Sequence, residues 1–362
     1  MSTSSSRRRD VTVADVAREA KVSKAQAARA LGDYGAVSDE VRSRVLAAAA
    51  TLEYRPNELA RSMNTGRSKT LGVVVGDIEN PFFSLAMRGI SDTAKTEGFD
   101  VILINTGEDV TAEAEAVRVL LDKRVDGMIV APASQLSMGH LQDVVDSGRP
   151  LVLLDRQIPA LGVDAVMAKM DDTSFEAVSH LIDVGHTRIG YISSIDAGSW
   201  SSGVGLDLGS NPVSERLAGM RRAFRAASIP IPEDLIRLSA GKPQPIREIT
   251  EELLLCSMPA TAIIASDSLI ALEVLHTVQD LQMKIPDDVS FMMYDDMPWA
   301  RLMRPPITVI AQPVYDIGAA TAKTLLARIM GRPAMPESQV FHSKLLQRGS
   351  IGAPKRIVDT AP

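Results

Sequence analysis

Aspartates follow four short apolar runs: Asp77 after LGVVVG, Asp155 beside Arg156 after PLVLL, Asp267 beside Ser266 after TAIIA, and Asp295 with Asp296 after VSFMMY. A carboxylate accepts several donors and a guanidinium presents a planar fork. Joined by Arg216 in SERLAGM, this set suits vicinal hydroxyls. Phe82, Phe83 and Trp299 would add flat apolar faces for one side of a sugar ring. For any single aspartate the alternative is a strand-end turn or a helix cap. A second set lies near the N-terminus, in DVAREAKVSKAQAARAL, Asp15 to Leu31. On a helix, Lys24, Ala25, Ala28 and Arg29 share one arc of about 140°. Arginine bonds guanine O6 and N7 bidentately, so Arg29 is the first candidate for base readout, with Lys24 behind it and Ala25 against a thymine methyl.

The elements that must carry these residues are readable from periodicity. Thr12 suits the N-cap of a first helix whose Val13, Val16, Ala17 and Ala20 make one stripe. After a break at Lys21-Val22-Ser23, Ser23 caps a second helix that packs through Ala27, Ala30 and Leu31. A third, capped by Ser38, offers Val41, Val45, Leu46, Ala49 and Leu52. Two short helices on a third give the geometry of a helix-turn-helix, and an ordinary charged helical hairpin is the bland alternative. Next comes YRPNELARSMNTGRSKT, Tyr54 to Thr70. Its Asn57–Met63 stretch allows about two helical turns, too few to persist alone. Leu59, Ala60 and Met63 form its apolar edge among Arg61, Arg67 and Lys69. It reads either as a wedge that orders in the minor groove or as a plain linker.

Charge is divided along the 362 residues. The first 70 hold 13 Lys+Arg against 8 Asp+Glu, net +5, and the remainder 26 against 37, net −11. A basic head on an acidic body is expected if only the head meets phosphate. The start MSTSSSRRRD has no following apolar region and no long apolar run occurs, so neither membrane nor export is expected. Cys256 stands alone, and His140, His180, His186, His276 and His342 lack metal-ligand spacing. A reducing cytoplasm fits, and neither a metal nor a cofactor is expected.

Beyond Thr70, LGVVVGD, VILIN, GMIVAP, PLVLLD, RIGYISS, TAIIASD and VSFMMYDD alternate with amphipathic stretches, which predicts βαβ units around buried parallel sheets. At least nine candidate strands favour two lobes over one sheet, and strand starts at Leu71 and Arg188 suggest an internal duplication. Ligands of open α/β sheets bind beyond the carboxyl ends of strands, where the aspartates fall. The Ser/Gly-rich AGSWSSGVGLDLGSNP, Ala197 to Pro212, is either a lid or a surface bulge. Its Trp200 either stacks on ligand or packs on its own lobe.

Taken together, TVADVAREAKVS, AVSDEVRSRVLAAAATLEYRPNELARSM, TLGVVVGDIENPFF, GHTRIGYI, SERLAGM, MPATAIIASD and VSFMMYDDMP resemble, in order and spacing, the LacI-type family of transcriptional regulators (lac, gal and purine repressors). The resemblance implies a helix-turn-helix domain (1–55), a hinge helix and linker (56–70) and a two-lobed body like periplasmic sugar-binding proteins (71–362), its chain crossing between lobes near 168, 312 and 337. It implies a homodimer on pseudo-palindromic operator DNA. Lys24, Ala25 and Arg29 would then face bases, Gln26 would join the DNA-contacting set where Thr is usual, Thr12, Ser23 and Asn57 would lie near phosphates, and Met63 would wedge the hinge step where Leu is usual. It further places Asp155, Arg156, Arg216, Ser266, Asp295 and Gln312 against a small effector. Ser266 stands where Asn is usual and Ala131 where some sugar-responsive members have Asn.

The function expected is repression of carbohydrate uptake or catabolism genes under a sugar-like effector. Alternatives are a purine effector, a protein corepressor, or a sugar-binding transport protein. No G-x-G-x-x-G, phosphate loop or G-x-S-x-G occurs in a context that would support an enzyme.

Overall fold

The computed structural model describes residues 11–32, 35–54, 66–195, 212–238, 240, 243–332 and 335–355. Asn57, Met63, Arg61 and Trp200 lie outside the described residues. The chain forms two compact units, one ending at Lys69 and one beginning at Thr70.

In the first unit, α1 (Val13–Glu19), α2 (Lys24–Gly32) and α3 (Asp39–Thr51) surround a core of Val16, Ala17, Ala20, Ala27, Ala30, Val45 and Ala48. Reciprocal caps fix where the first two helices start. Thr12 Oγ1 donates to Asp15 Oδ2 at 2.7 Å while the Asp15 N–H returns to Thr12 Oγ1. At α2 the Gln26 N–H donates to Ser23 Oγ at 3.2 Å, and Gln26 Oε1 accepts from the Ser23 N–H at 3.1 Å. Lys21 takes a left-handed φ of 55° and makes the intervening turn without glycine. The α3 stripe departs from expectation at one position: Leu46 is 52% exposed and Ala48 is buried instead. Val45 and Ala48 are three residues apart on one side, and Leu46 falls 100° round from Val45.

The second unit has two lobes. The first contains β1 (Thr70–Val75), α4 (Pro81–Thr96), β2 (Asp100–Asn105), α5 (Val110–Asp122), β3 (Gly127–Val130), α6 (Gly139–Asp146), β4 (Leu151–Leu154) and β5 (Asp164–Lys169). Then α7 (Asp171–Val184) leads to β6 (Ile189–Ile192), α8 (Pro212–Ala226), β7 (Ile236–Arg237), α9 (Pro243–Leu255), β8 (Ala262–Ala265), α10 (Ser268–Asp280), β9 (Ser290–Tyr294) and β10 (Thr308–Ala311). Finally, α11 (Val314–Ile329) returns to pack on α4, followed by β11 (Ser338–His342) and β12 (Lys344–Leu346).

The sheets run β11-β5-β4-β3-β1-β2 and β12-β10-β9-β8-β6-β7. All pairings are parallel except β12 with β10. Strand order thus repeats between lobes, starting from β1 and β6. The chain crosses at Met170, at Gln312-Pro313 and at Ser343. The last crossing falls later than the expected 337, because Ser338–His342 still pairs with β5 of the first sheet. Ser343 Oγ also donates to Lys169 O at 3.0 Å, tying the third crossing to the first.

Candidate functional site

A cleft of about 300 Å³ lies between the two lobes of the body, at the carboxyl ends of their strands. From the first lobe, Asn80 caps α4 by accepting the Phe82 N–H at 3.0 Å, and Pro81 pre-sets the first helical turn. That start brings Phe82 and Phe83 to the cleft, their rings edge to face at 5.3 Å. Asp155 and Arg156 follow β4. The Arg156 fork meets Glu108 with Nη1 to Oε2 at 2.6 Å and Nη2 to Oε1 at 2.9 Å, while Nη1 also donates to Pro132 O at 2.8 Å. Gly76 makes room for this pair, since a Cβ there would stand 2.2 Å from Glu108 Oε1.

From the second lobe, α8 delivers Arg216, buried, with Nη1 donating to Ser266 O at 2.8 Å and Cζ 4.1 Å from the centre of the Tyr294 ring. Asp267 caps α10 through the Leu269 and Ile270 N–H groups at 2.9 and 3.0 Å. Asp295 follows β9, and its Oδ1 accepts from Gln312 Nε2 at 2.7 Å.

Burial dominates the electrostatics. It pushes the Asp155 carboxyl above its usual range against the pull of Arg156 and Arg216. Burial also raises Asp267, despite the helix N–H groups, and lifts Asp295 to about 6. A carboxyl near 6 is readily held in its ionised form by hydrogen-bond donors.

Of the residues singled out from sequence, Phe82, Phe83, Asp155, Arg156, Arg216, Ser266, Asp267 and Asp295 line the cleft. Asp77, Gln312 and Trp299 do not. Asp77 Oδ1 accepts the Glu79 N–H at 2.9 Å, so its carboxylate shapes the turn into α4. Gln312 stands behind Asp295. Trp299 lies in the 3-10 turn Pro298–Arg301 and packs against the apolar cluster of the second lobe that includes Met297 and Ala300. Ala131 is buried in the core. The lining also holds Glu108, Asn80, Ser193 and Ser194, which sequence reasoning missed. Asn80 was visible as an Asn-Pro helix start, and the serines as residues after a strand. No local signal marked Glu108, 48 residues from its partner.

In the head, Lys24, Ala25, Gln26 and Arg29 are all exposed on one side of α2, with Ala27 and Ala30 buried behind them. Thr12, Ser23 and Gln26 spend hydrogen bonds on the caps. The stem of Arg29 runs beside Gly35, whose φ is 73°.

A family model described as bacterial regulatory proteins, lacI family, matches residues 12–57, and one for a periplasmic binding protein-like domain matches 178–351. The chain is 31% identical to the probable HTH-type transcriptional regulator EndR of Paenibacillus polymyxa, over 88% of this chain and 90% of that protein. It is similar in fold, at 23% identity and a TM-score of 0.80, to the lac repressor dimer bound to operator and the anti-inducer ONPF, covering 95% of this chain and 100% of that one. A LacI family transcriptional regulator from Enterococcus faecium with bound ribose matches at 29% identity and a TM-score of 0.66, covering 79% of this chain and all of its own.

Proposed function

Because the chain belongs to the lacI family of bacterial regulatory proteins, we propose that it is a sequence-specific repressor of carbohydrate uptake or catabolism genes whose operator affinity is set by a sugar-like effector. The observation that carries the reading is the convergence of Asp155 and Arg156 from one lobe with Arg216, Ser266 and Asp295 from the other around one cleft. A ligand held by both lobes favours one lobe arrangement over another, and only such differential affinity can move a distant equilibrium. A solved relative at 29% identity supports a sugar, as it holds ribose.

In this reading two subunits lay α2 into successive major grooves of a pseudo-palindromic operator. Arg29 reads guanine, Lys24, Ala25 and Gln26 lie beside it, and Thr12 and Ser23 sit near phosphates. Asn57 and Met63 complete the contact at the hinge. The protein works in the cytoplasm as a homodimer, and its cleft binds without catalysis, as its relatives are regulators and not enzymes.

The test is selection of bound duplexes from a random pool, followed by titration of the best duplex with sugars. A salt-sensitive, sequence-selective complex whose affinity changes with at least one sugar is expected. A chain that binds all duplexes alike, or whose selected complex ignores every sugar, would defeat the reading.

A further inference from the structure

We propose that the ligand of the interlobe cleft is an uncharged or amine-bearing polyol, and that the site turns away sugar phosphates and sugar acids. The inference rests on the reading of the cleft as an effector site. Among the described residues, the charged side chains lining it are four carboxylates, Glu108, Asp155, Asp267 and Asp295, against two guanidinium groups, Arg156 and Arg216. Lysine and histidine are missing from that lining.

Two kinds of group ordinarily receive an anion, an arginine fork and the N-terminus of a helix. Much of both is already engaged by the protein itself. The Arg156 fork is bidentate to Glu108 and also bonds Pro132 O. Arg216 donates to Ser266 O and to Met170 Sδ, with its plane over Tyr294. Of the helices that start at the cleft, α4 and α10 have their first N–H groups taken by Asn80 and Asp267, and α8 opens on Pro212, which has no N–H to offer.

One carboxylate of the cleft lacks donors. Asp155 is more than nine-tenths buried, and its carboxylate makes no hydrogen bond among the described residues. The nearest cation is Arg156 Nε at 3.9 Å. A buried carboxylate without donors is costly, so an incoming hydroxyl or ammonium gains by satisfying it. A phosphate or carboxylate would bring more acceptors and a repulsive charge beside the same carboxylates.

The test is calorimetric titration of the purified full-length chain with matched sets: glucose, glucosamine, gluconate and glucose 6-phosphate, then ribose and ribose 5-phosphate. Every anionic member should bind at least about tenfold more weakly than its uncharged twin. Asp155→Asn keeps the shape and tolerates the left-handed backbone, and it should narrow that ratio toward unity. A phosphate or acid that binds as tightly as its neutral twin overturns the charge rule and leaves the sugar reading standing. An Asp155→Asn variant that weakens all members equally removes Asp155 from the discriminating role. Absence of binding by every member defeats the sugar reading and this rule together.

Discussion

Asp155 and Asp295 hold the same place in the two lobes. Each follows the end of a strand, takes a left-handed backbone (φ 68° and 71°), and donates its N–H to the neighbouring strand, at Val166 O (2.8 Å) and Ile310 O (2.9 Å). Two strained positions related by the repeat in strand order both present a carboxylate to the cleft, and strain of this kind persists where the surroundings fix it. The lobes differ two residues further along the neighbouring strand. Gln312 there holds Asp295, whereas Ala168 stands at the matching position and leaves Asp155 for a ligand.

Sugar affinity should rise with pH around Asp295. Burial lifts its carboxyl to about 6, Arg216 and Gln312 pull it down, and Asp267 and Asp155 push it up. Its protonated form contributes stability that is present in full below the ordinary carboxyl range and is lost as pH rises through about 6. Ligand hydroxyls donate best to the ionised form, so binding of a neutral sugar should strengthen over the same interval. Calorimetry across it should show the rise in the native chain and a shallower one in Asp295→Asn, where Asp155 and Asp267 remain. An equal slope in both would place the titrating group elsewhere.

Base readout should fail at one position when Arg29 is removed. Arg29→Ala is expected to cost about 1–3 kcal/mol of operator affinity and to relax preference at a single base pair. Ser23→Ala should instead lower the stability of the head by roughly 1 kcal/mol, because Ser23 caps α2. Selection profiles of the two variants separate these roles. Unchanged base preference in Arg29→Ala would exclude it from readout.

Packing of α4 on α11 should not tolerate a methyl group at Gly318. A Cβ there would lie 2.0 Å from Ala86 O, and one on Gly89 2.2 Å from Tyr315 O. Gly318→Ala should therefore destabilise the body by about 1–3 kcal/mol through overpacking. Gly139→Ala, at the start of α6 with open space around it, serves as the control and should be near neutral. Urea midpoints at fixed slope measure both.

Acid should weaken the second lobe through His186. The ring is buried and bonds Thr261 Oγ1 (2.8 Å), Ser290 Oγ (3.0 Å) and Gly352 O (2.9 Å), joining the approach to β6 with β8, β9 and the C-terminal segment. Burial lowers its pKa, against the pull of the Gly352 carbonyl. Its stabilisation is complete above the unfolded value of about 6.5 and is lost as pH falls through the depressed folded value. The gap in urea midpoint between the native chain and His186→Asn should shrink on acidification. A constant gap would show that the ring's charge is irrelevant.

Local regularities carried most of the sequence reading. Caps at Thr12, Ser23 and Ser38, the alanine stripe of α2, the apolar strands and the aspartates that follow them depend on neighbours a few residues away. Their geometry is set by backbone sterics and short hydrogen bonds, so it is written in the order of the residues. The resemblance places Gln26 among the DNA-contacting residues, and its share in the Ser23 cap lies in the same local spacing.

Tertiary structure decided the rest. Whether a strand-end acid turns the chain, as Asp77 does, or faces the cleft, as Asp155 does, depends on which donors the folded chain brings within its reach. Glu108 meets Arg156 across 48 residues, Gln312 reaches Asp295 only because β10 lies beside β9, and Trp299 turns into an apolar cluster assembled from distant strands. Each outcome follows from which surfaces the packed sheets bury against one another. That competition for burial and donors exists only once segments far apart in the chain have come together.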